Sequence, residues 1–209
     1  MWERYYSTLK QLPRRLKQPV SFLVEASPTF KRYKIKSVLD LGCGAGRNCI
    51  YLAKENFDVV GIDVSLTALK IANKWSEKEK LTNVTFVRAT MTNLPFSDCH
   101  LDAVISVSVI HHATKKDITK TIDEIQRVLK KNGFFLANLT SVKDPRYGTG
   151  QKVENNTFQI LESFEEKRFE EIHHFFTKRE ISKILAPFAE AKVELLKDKP
   201  QYWKITAIK

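Results

Sequence analysis

The chain has 209 residues, 43% of them apolar and 28% charged, a size and composition that suit one domain with a single hydrophobic core and argue against disorder. No apolar run approaches the ~20 residues of a membrane span, and the opening Met1-Trp2-Glu3-Arg4-Tyr5-Tyr6 lacks the apolar stretch of a secretion signal; a cytoplasmic location without membrane contact is expected. The net charge of +11 excludes an acidic solvating protein and raises the question of an anionic partner.

Much of that charge is local. Residues 1 to 36 carry a net +7, ahead of the first convincing strand. Trp2, Tyr5, Tyr6, Leu9, Leu12 and Leu16 recur at three- and four-residue steps, as on one face of an amphipathic helix interrupted by Pro13 and Pro19. Residues 1–34 are therefore read as a basic amphipathic segment, or lid, and residues 35–209 as one domain.

Ile35 to Leu41 is β-rich and runs into a glycine turn, and Asn48 to Asn56 has a helical pattern. Phe57 to Asp63 gives a second strand, Ser65 is placed to cap the helix that follows, and Val84 to Ala89 gives a third strand. Leu101 to Ile110 is almost continuously apolar or β-branched, which predicts a central strand buried on both faces. Thr114 with Asp117 predicts a helix start, Ile118, Ile122, Ile125 and Leu129 its buried stripe, and Phe134 to Leu139 a fifth strand after Gly133. Thr177-Lys178-Arg179-Glu180 is a capping box before a last helix, and Lys192 to Leu196 and Trp203 to Ile208 predict an antiparallel pair joined by Asp198-Lys199-Pro200. The expected fold is α/β: a Rossmann-like, doubly wound, mostly parallel seven-stranded sheet ending in a C-terminal antiparallel strand pair.

Four of the seven glycines, Gly42, Gly44, Gly46 and Gly61, fall at the first two strand ends, where a missing Cβ lets backbone approach a ligand. A nicotinamide-dinucleotide fingerprint would put glycine where Arg47 stands, and no phosphate-binding GxxxxGK[ST] loop occurs. Asp63 lies at the tip of the second strand, where a carboxylate can accept both hydroxyls of a ribose. Cys43, Cys49 and Cys99 are odd in number and lack CxxC spacing, so neither a disulfide framework nor a metal site is expected.

Val38-Leu39-Asp40-Leu41-Gly42-Cys43-Gly44-Ala45-Gly46, then Val59-Val60-Gly61-Ile62-Asp63-Val64-Ser65, then Asn93-Leu94-Pro95-Phe96 ahead of Leu101-Asp102-Ala103-Val104-Ile105-Ser106, and Leu129-Lys130-Lys131-Asn132-Gly133-Phe134 stand in order. Together they resemble the class I S-adenosylmethionine-dependent methyltransferases over roughly residues 35 to 140. Arg47-Asn48 and Tyr51-Leu52-Ala53 look most like the tellurite-resistance and thiopurine-type small-molecule enzymes of that family. The resemblance implies S-adenosylmethionine as cofactor and S-adenosylhomocysteine as product. It implies that Gly42, Gly44 and Gly46 pass beside the methionine part, that Asp40 faces its amino group, that Arg47 pairs with its carboxylate and that Asp63 binds the ribose hydroxyls. Cys43, Asn48 and Val64 count among the cofactor-binding residues. Thr90 stands where many members have an acid for the adenine amine, with Met91 beside it; Ser106 and Val107 line the methionine side, and Tyr6 closes over the cofactor.

A sulfonium carries an already activated methyl, so in-line approach and desolvation supply most of the acceleration. A base is needed only for a protonated acceptor; His111, His112, His173 and His174 are the candidates, because histidine titrates near neutrality. Chemistry on amino groups of the Asn/Asp-Pro-Pro-Tyr type is excluded by Ser106-Val107-Ser108-Val109-Ile110, and cytosine C5 chemistry by the position of Cys99 before its strand. Residues 141–174 form an insertion expected to act as an acceptor-side lid, part of it helical, with Tyr147, Phe158, Phe164 and Phe169 as pocket or packing aromatics. The leading reading is methyl transfer to a small molecule. RNA remains the alternative acceptor because of the basic N-terminal segment, and a non-catalytic cofactor-binding module is the third reading.

Overall fold

A computed structural model describes residues 1–164, 167–196 and 201–209, with the side chains of Phe164 and Lys167 outside that description. In chain order its elements are α1 (Trp2–Ser7), a 3₁₀ turn (Arg14–Leu16), α2 (Ser21–Arg32), β1 (Ser37–Leu41), α3 (Arg47–Lys54), β2 (Asp58–Asp63), α4 (Leu66–Lys78), β3 (Val84–Arg88) and β4 (Leu101–Val107). There follow α5 (Lys115–Val128), β5 (Leu129–Thr140), β6 (Gln151–Glu154), β7 (Thr157–Phe164), β8 (Lys167–His174), α6 (Lys178–Ile184), β9 (Glu190–Leu195) and β10 (Tyr202–Ile208). Seven strands form one sheet in the order β3-β2-β1-β4-β5-β10-β9. The first five run parallel, and β10 is antiparallel to both β5 and β9, as the sequence predicts.

The sheet is covered on both faces because successive side chains alternate. Leu39, Leu41, Val104 and Phe135 pack with Ile118, Ile122 and Ile125 of α5 and Ile181 of α6. Val38, Ala103, Ile105 and Leu136 pack on the other face with Leu52 of α3, Leu69 of α4, and Phe22, Leu23 and Phe30 of α2. Each such large side chain contributes roughly 1.5–3 kcal/mol by leaving water. The expected caps form: Ser65 Oγ accepts from Ala68 N at 3.1 Å, Thr114 Oγ1 from Asp117 N at 3.4 Å, and Thr177 with Glu180 closes its box.

Three expectations change. The strand foreseen as Leu101 to Ile110 stops at Val107, because Ser108 takes φ +58° and turns the chain out of the sheet. The first 34 residues are not one lid: residues 2–16 reach the cleft, whereas α2 is a core helix whose Phe30 packs on Phe57 and Phe134. The insertion at 141–174 is not helical; β6, β7 and β8 form a separate antiparallel sheet. That sheet is tied to the domain by hydrogen bonds from His174 N to His111 O (2.7 Å) and from Phe176 N to Thr140 O (2.7 Å). Asp198-Lys199-Pro200 lies outside the described residues.

Candidate active site

A single cavity of 720 Å³ runs along the carboxyl ends of β1, β2 and β4, large enough for a drug-sized ligand. Its first wall is the turn after β1. Gly42 N and Cys43 N both donate to Ile62 O (2.8 and 2.9 Å), folding the turn over β2, and Gly42, Gly44 and Gly46 take φ +73°, +54° and +89°, a region that favours glycine. Side chains are absent there for a second reason. A Cβ on Gly42 would stand 2.2 Å from Val109 Cγ2, and one on Gly44 would stand 2.3 Å from the Tyr6 hydroxyl.

Asp63 fixes this wall. Its Oδ2 accepts from Gly44 N (2.9 Å) and its Oδ1 from Ser65 N (2.8 Å), and the residue lines the cavity. Burial pushes its pKa up, opposed by those N–H groups. Gly42, Cys43, Gly44, Arg47, Asn48, Val64, Thr90, Met91, Val107 and Tyr6 also line the cavity. Arg47 donates to Arg15 O at 2.9 Å, and Asn48 Oδ1 accepts from Val20 N at 3.3 Å, so each is partly engaged within the chain.

Three cofactor candidates do not reach the cavity surface. Gly46 ends the turn at the start of α3, with Ala72 and Phe86 against its bare face. Ser106 is buried between the sheet layers, and its Oγ has no partner among the described residues. Asp40 lies one residue behind the wall and takes a hydrogen bond from Cys49 Sγ at 3.2 Å; burial pushes its pKa up to about 7, with Cys49 and Arg47 opposing.

The opposite wall carries polar groups. His111 and His112 follow β4, and His173 comes from β8; with Ser108, Arg146, Glu162 and Tyr202 they line the cavity. Burial lowers the pKa of His111 and of His173, which keeps both rings neutral. Arg146 bridges Asp144 (2.7 Å) and Glu162. His174 does not belong to this wall. As the next residue along β8 its ring turns to the other face, where Nδ1 is 2.7 Å from Thr157 Oγ1 and burial lowers its pKa to about 4. Sequence reasoning missed Ser108, Arg146, Glu162 and Tyr202, which become neighbours only through tertiary pairing.

The roof is shared. Tyr5 and Tyr6 of α1 cluster with Phe169 of β8 and Ala68 of α4, and Trp2 meets His112 edge-on at 5.2 Å between centroids. Glu3 secures α1: its carboxylate accepts from Ser65 Oγ (2.8 Å) and from Thr67 N and Oγ1 at the start of α4. Those hydrogen bonds lower its pKa to about 2.

Comparison with known proteins agrees with this architecture. Residues 38–133 match a family model described as a methyltransferase domain. The uncharacterized methyltransferase YcgJ of Bacillus subtilis is 31% identical over 99 residues, which are 47% of this chain and 38% of that protein. The chain spans under half the length of the curated relatives matched first. Among solved structures, a SAM-dependent methyltransferase of Methanosarcina mazei superposes with a TM-score of 0.73 at 23% identity, covering 87% of this chain and 97% of that one. The 1,6-didemethyltoxoflavin-N1-methyltransferase of Burkholderia thailandensis, solved with 1,6-didemethyltoxoflavin and S-adenosylhomocysteine bound, gives 0.62 at 19% identity over 90% of this chain and 78% of that one. Residues 38–133 are thus similar to a methyltransferase domain, and the chain shares its fold with S-adenosylmethionine-dependent methyltransferases of known structure.

Proposed function

We propose that the protein transfers a methyl group from S-adenosylmethionine to a small-molecule acceptor, in the cytoplasm. The observation that carries this reading is one cavity with two unlike walls: a side-chain-free glycine turn with Asp63 on one side, and His111, His112, His173, Arg146 and Tyr202 on the other. The residues fit the cofactor. Asp63 retains acceptor capacity for two ribose hydroxyls, and the guanidinium of Arg47 lines the cavity beside the turn. Thr90 and Met91 border the adenine end in this reading. The cofactor brings a methyl already activated on sulfur, so the chain contributes position and exclusion of water. Trp2, Tyr5 and Tyr6 supply that exclusion.

The acceptor reading rests on partial enclosure. The roof of α1 and the small sheet reaches over part of the polar wall of a cavity of small-molecule size, and the B. thailandensis neighbour is named for methylating a small molecule. A cytoplasmic site of action fits three free thiols, and no helix among the described residues is long and apolar enough to cross a membrane.

The test is a thermal titration with S-adenosylhomocysteine, expected to add about 2.7 kcal/mol of stability at a hundred times its dissociation constant. Asp63→Ala should bind at least tenfold more weakly while remaining folded, with Asp63→Asn between the two, because charge-assisted hydrogen bonds contribute roughly 1.5–3 kcal/mol each. Stabilisation by NAD in place of S-adenosylhomocysteine would overturn the assignment.

A further inference from the structure

His111, His112 and His173 meet on the acceptor wall so that one ring nitrogen from each lies within 4.8 Å of the others. Their ring centroids are 4.3 to 5.4 Å apart. His111 and His173 are each 1% exposed, and the side chains of His112 and Glu171 are 9% and 7% exposed. Buried polar atoms in folded proteins are nearly always satisfied. Yet His111 Nδ1 and His173 Nδ1 make no hydrogen bond among the described residues. Glu171 Oε2 lies 2.9 Å from His112 Nδ1 and 3.6 Å from His173 Nε2 and orients the His112 ring.

Three imidazoles whose ring nitrogens converge this closely are a donor set. Imidazole nitrogen selects first-row transition metals and zinc over magnesium or calcium, which take oxygen ligands. We propose that His111, His112 and His173 bind one divalent transition-metal ion of the zinc class in the acceptor half of the cavity and leave its fourth position open, with Glu171 as an outer partner of His112. A tetrahedral site with Zn–N near 2.0–2.1 Å places ligands about 3.3 Å apart, so the rings close in by small side-chain rotations. A second outer partner is already placed. Glu162 Oε1, held by Arg146, is 3.1 Å from His173 Nε2 and can fix which lone pair that ring presents.

The role of the ion rests on the proposed methyl transfer. An acceptor oxygen, nitrogen or sulfur entering as the open ligand has its pKa lowered, sheds its proton to solvent, and keeps a lone pair for the methyl group. No protein base is then required, and the three imidazoles act as ligands.

The experiment strips the full-length protein with a chelator and titrates it with Co²⁺, a spectroscopic probe of zinc-type sites. One equivalent is expected to give the visible absorption of a four-coordinate nitrogen and oxygen site, to raise Tm, and to be displaced by Zn²⁺. His173→Gln should weaken Co²⁺ binding at least a hundredfold and Glu162→Gln ten- to a hundredfold; His112→Gln is the second ligand variant should the first fail to fold. His174→Gln, on the other face of β8, should bind Co²⁺ as the parent does. S-adenosylhomocysteine affinity measured on the same samples separates the two readings, since it should persist in every variant. Absence of absorption and Tm shift with both metals in a parent that still binds S-adenosylhomocysteine would overturn the metal site and leave the imidazoles as proton acceptors. Co²⁺ affinity undiminished in folded His173→Gln would overturn it equally.

Discussion

A carboxyl group with one oxygen held by a thiol and the other unmatched among the described residues is costly to bury in charged form. Asp40 is that group, with its pKa pushed by burial from the ordinary 3.8 up to about 7. The folded chain therefore keeps a proton that the unfolded chain releases between pH 4 and 7, so the contribution of Asp40 to stability declines as pH rises through that window. Asp40→Asn should flatten the dependence of Tm on pH between 4 and 7 and melt several degrees above the parent at pH 8. Melts at pH 5 and pH 8 check this; an equal pH slope in parent and variant would refute it. Residues in contiguous motifs were legible in the sequence because their roles are local: Gly42, Gly44 and Asp63 lie where their spacing puts them. Facing was not legible. Asp40 and Ser106 point into the layers, and only the register of β8 decides that His173 faces the cavity and His174 faces Thr157.

Elements with ordinary polarity were visible from the sequence, and the small sheet was not, for a physical reason. Along β7, Leu161 is exposed and Glu162 buried; along β8, Glu171 and His173 are buried while Glu170 is exposed. The inward positions there serve the cavity, so the alternation that marks a strand is broken where function needs polar groups inside. The core helix α2 was hidden differently, because its charge merged with that of the basic segment and Pro28 lies inside it. The other roof element, α1, is too short to hold itself as a helix and depends on Glu3. With its pKa depressed to about 2 from 4.5, Glu3 contributes to closure above pH 4.5, and that contribution is lost as pH falls through 2. Glu3→Gln should leave the folded core intact by circular dichroism and weaken S-adenosylhomocysteine binding several-fold at neutral pH. Calorimetry showing the parental affinity would disconnect α1 from the cofactor.

Across the whole molecule, the net charge of +11 and its concentration at residues 1 to 36 are what favour RNA. If RNA were the acceptor, binding would fall steeply with salt as counterions are released, and methyl label would enter it at physiological salt. The partly roofed cavity predicts weak RNA association that vanishes near physiological salt, with label from radioactive cofactor entering a fractionated metabolite extract and none entering total RNA; label in RNA would reverse the acceptor assignment. The latch at Ser65 carries one more consequence. Ser65 gives its hydroxyl to Glu3 and its N–H to Asp63, so roof and ribose wall share a residue, and their equilibria are linked. Whatever factor a bound ligand adds to the closing of α1, closure adds to that ligand's affinity. In the proposed reading, a ligand that engages Asp63 would help shut the roof, and a shut roof would retain that ligand.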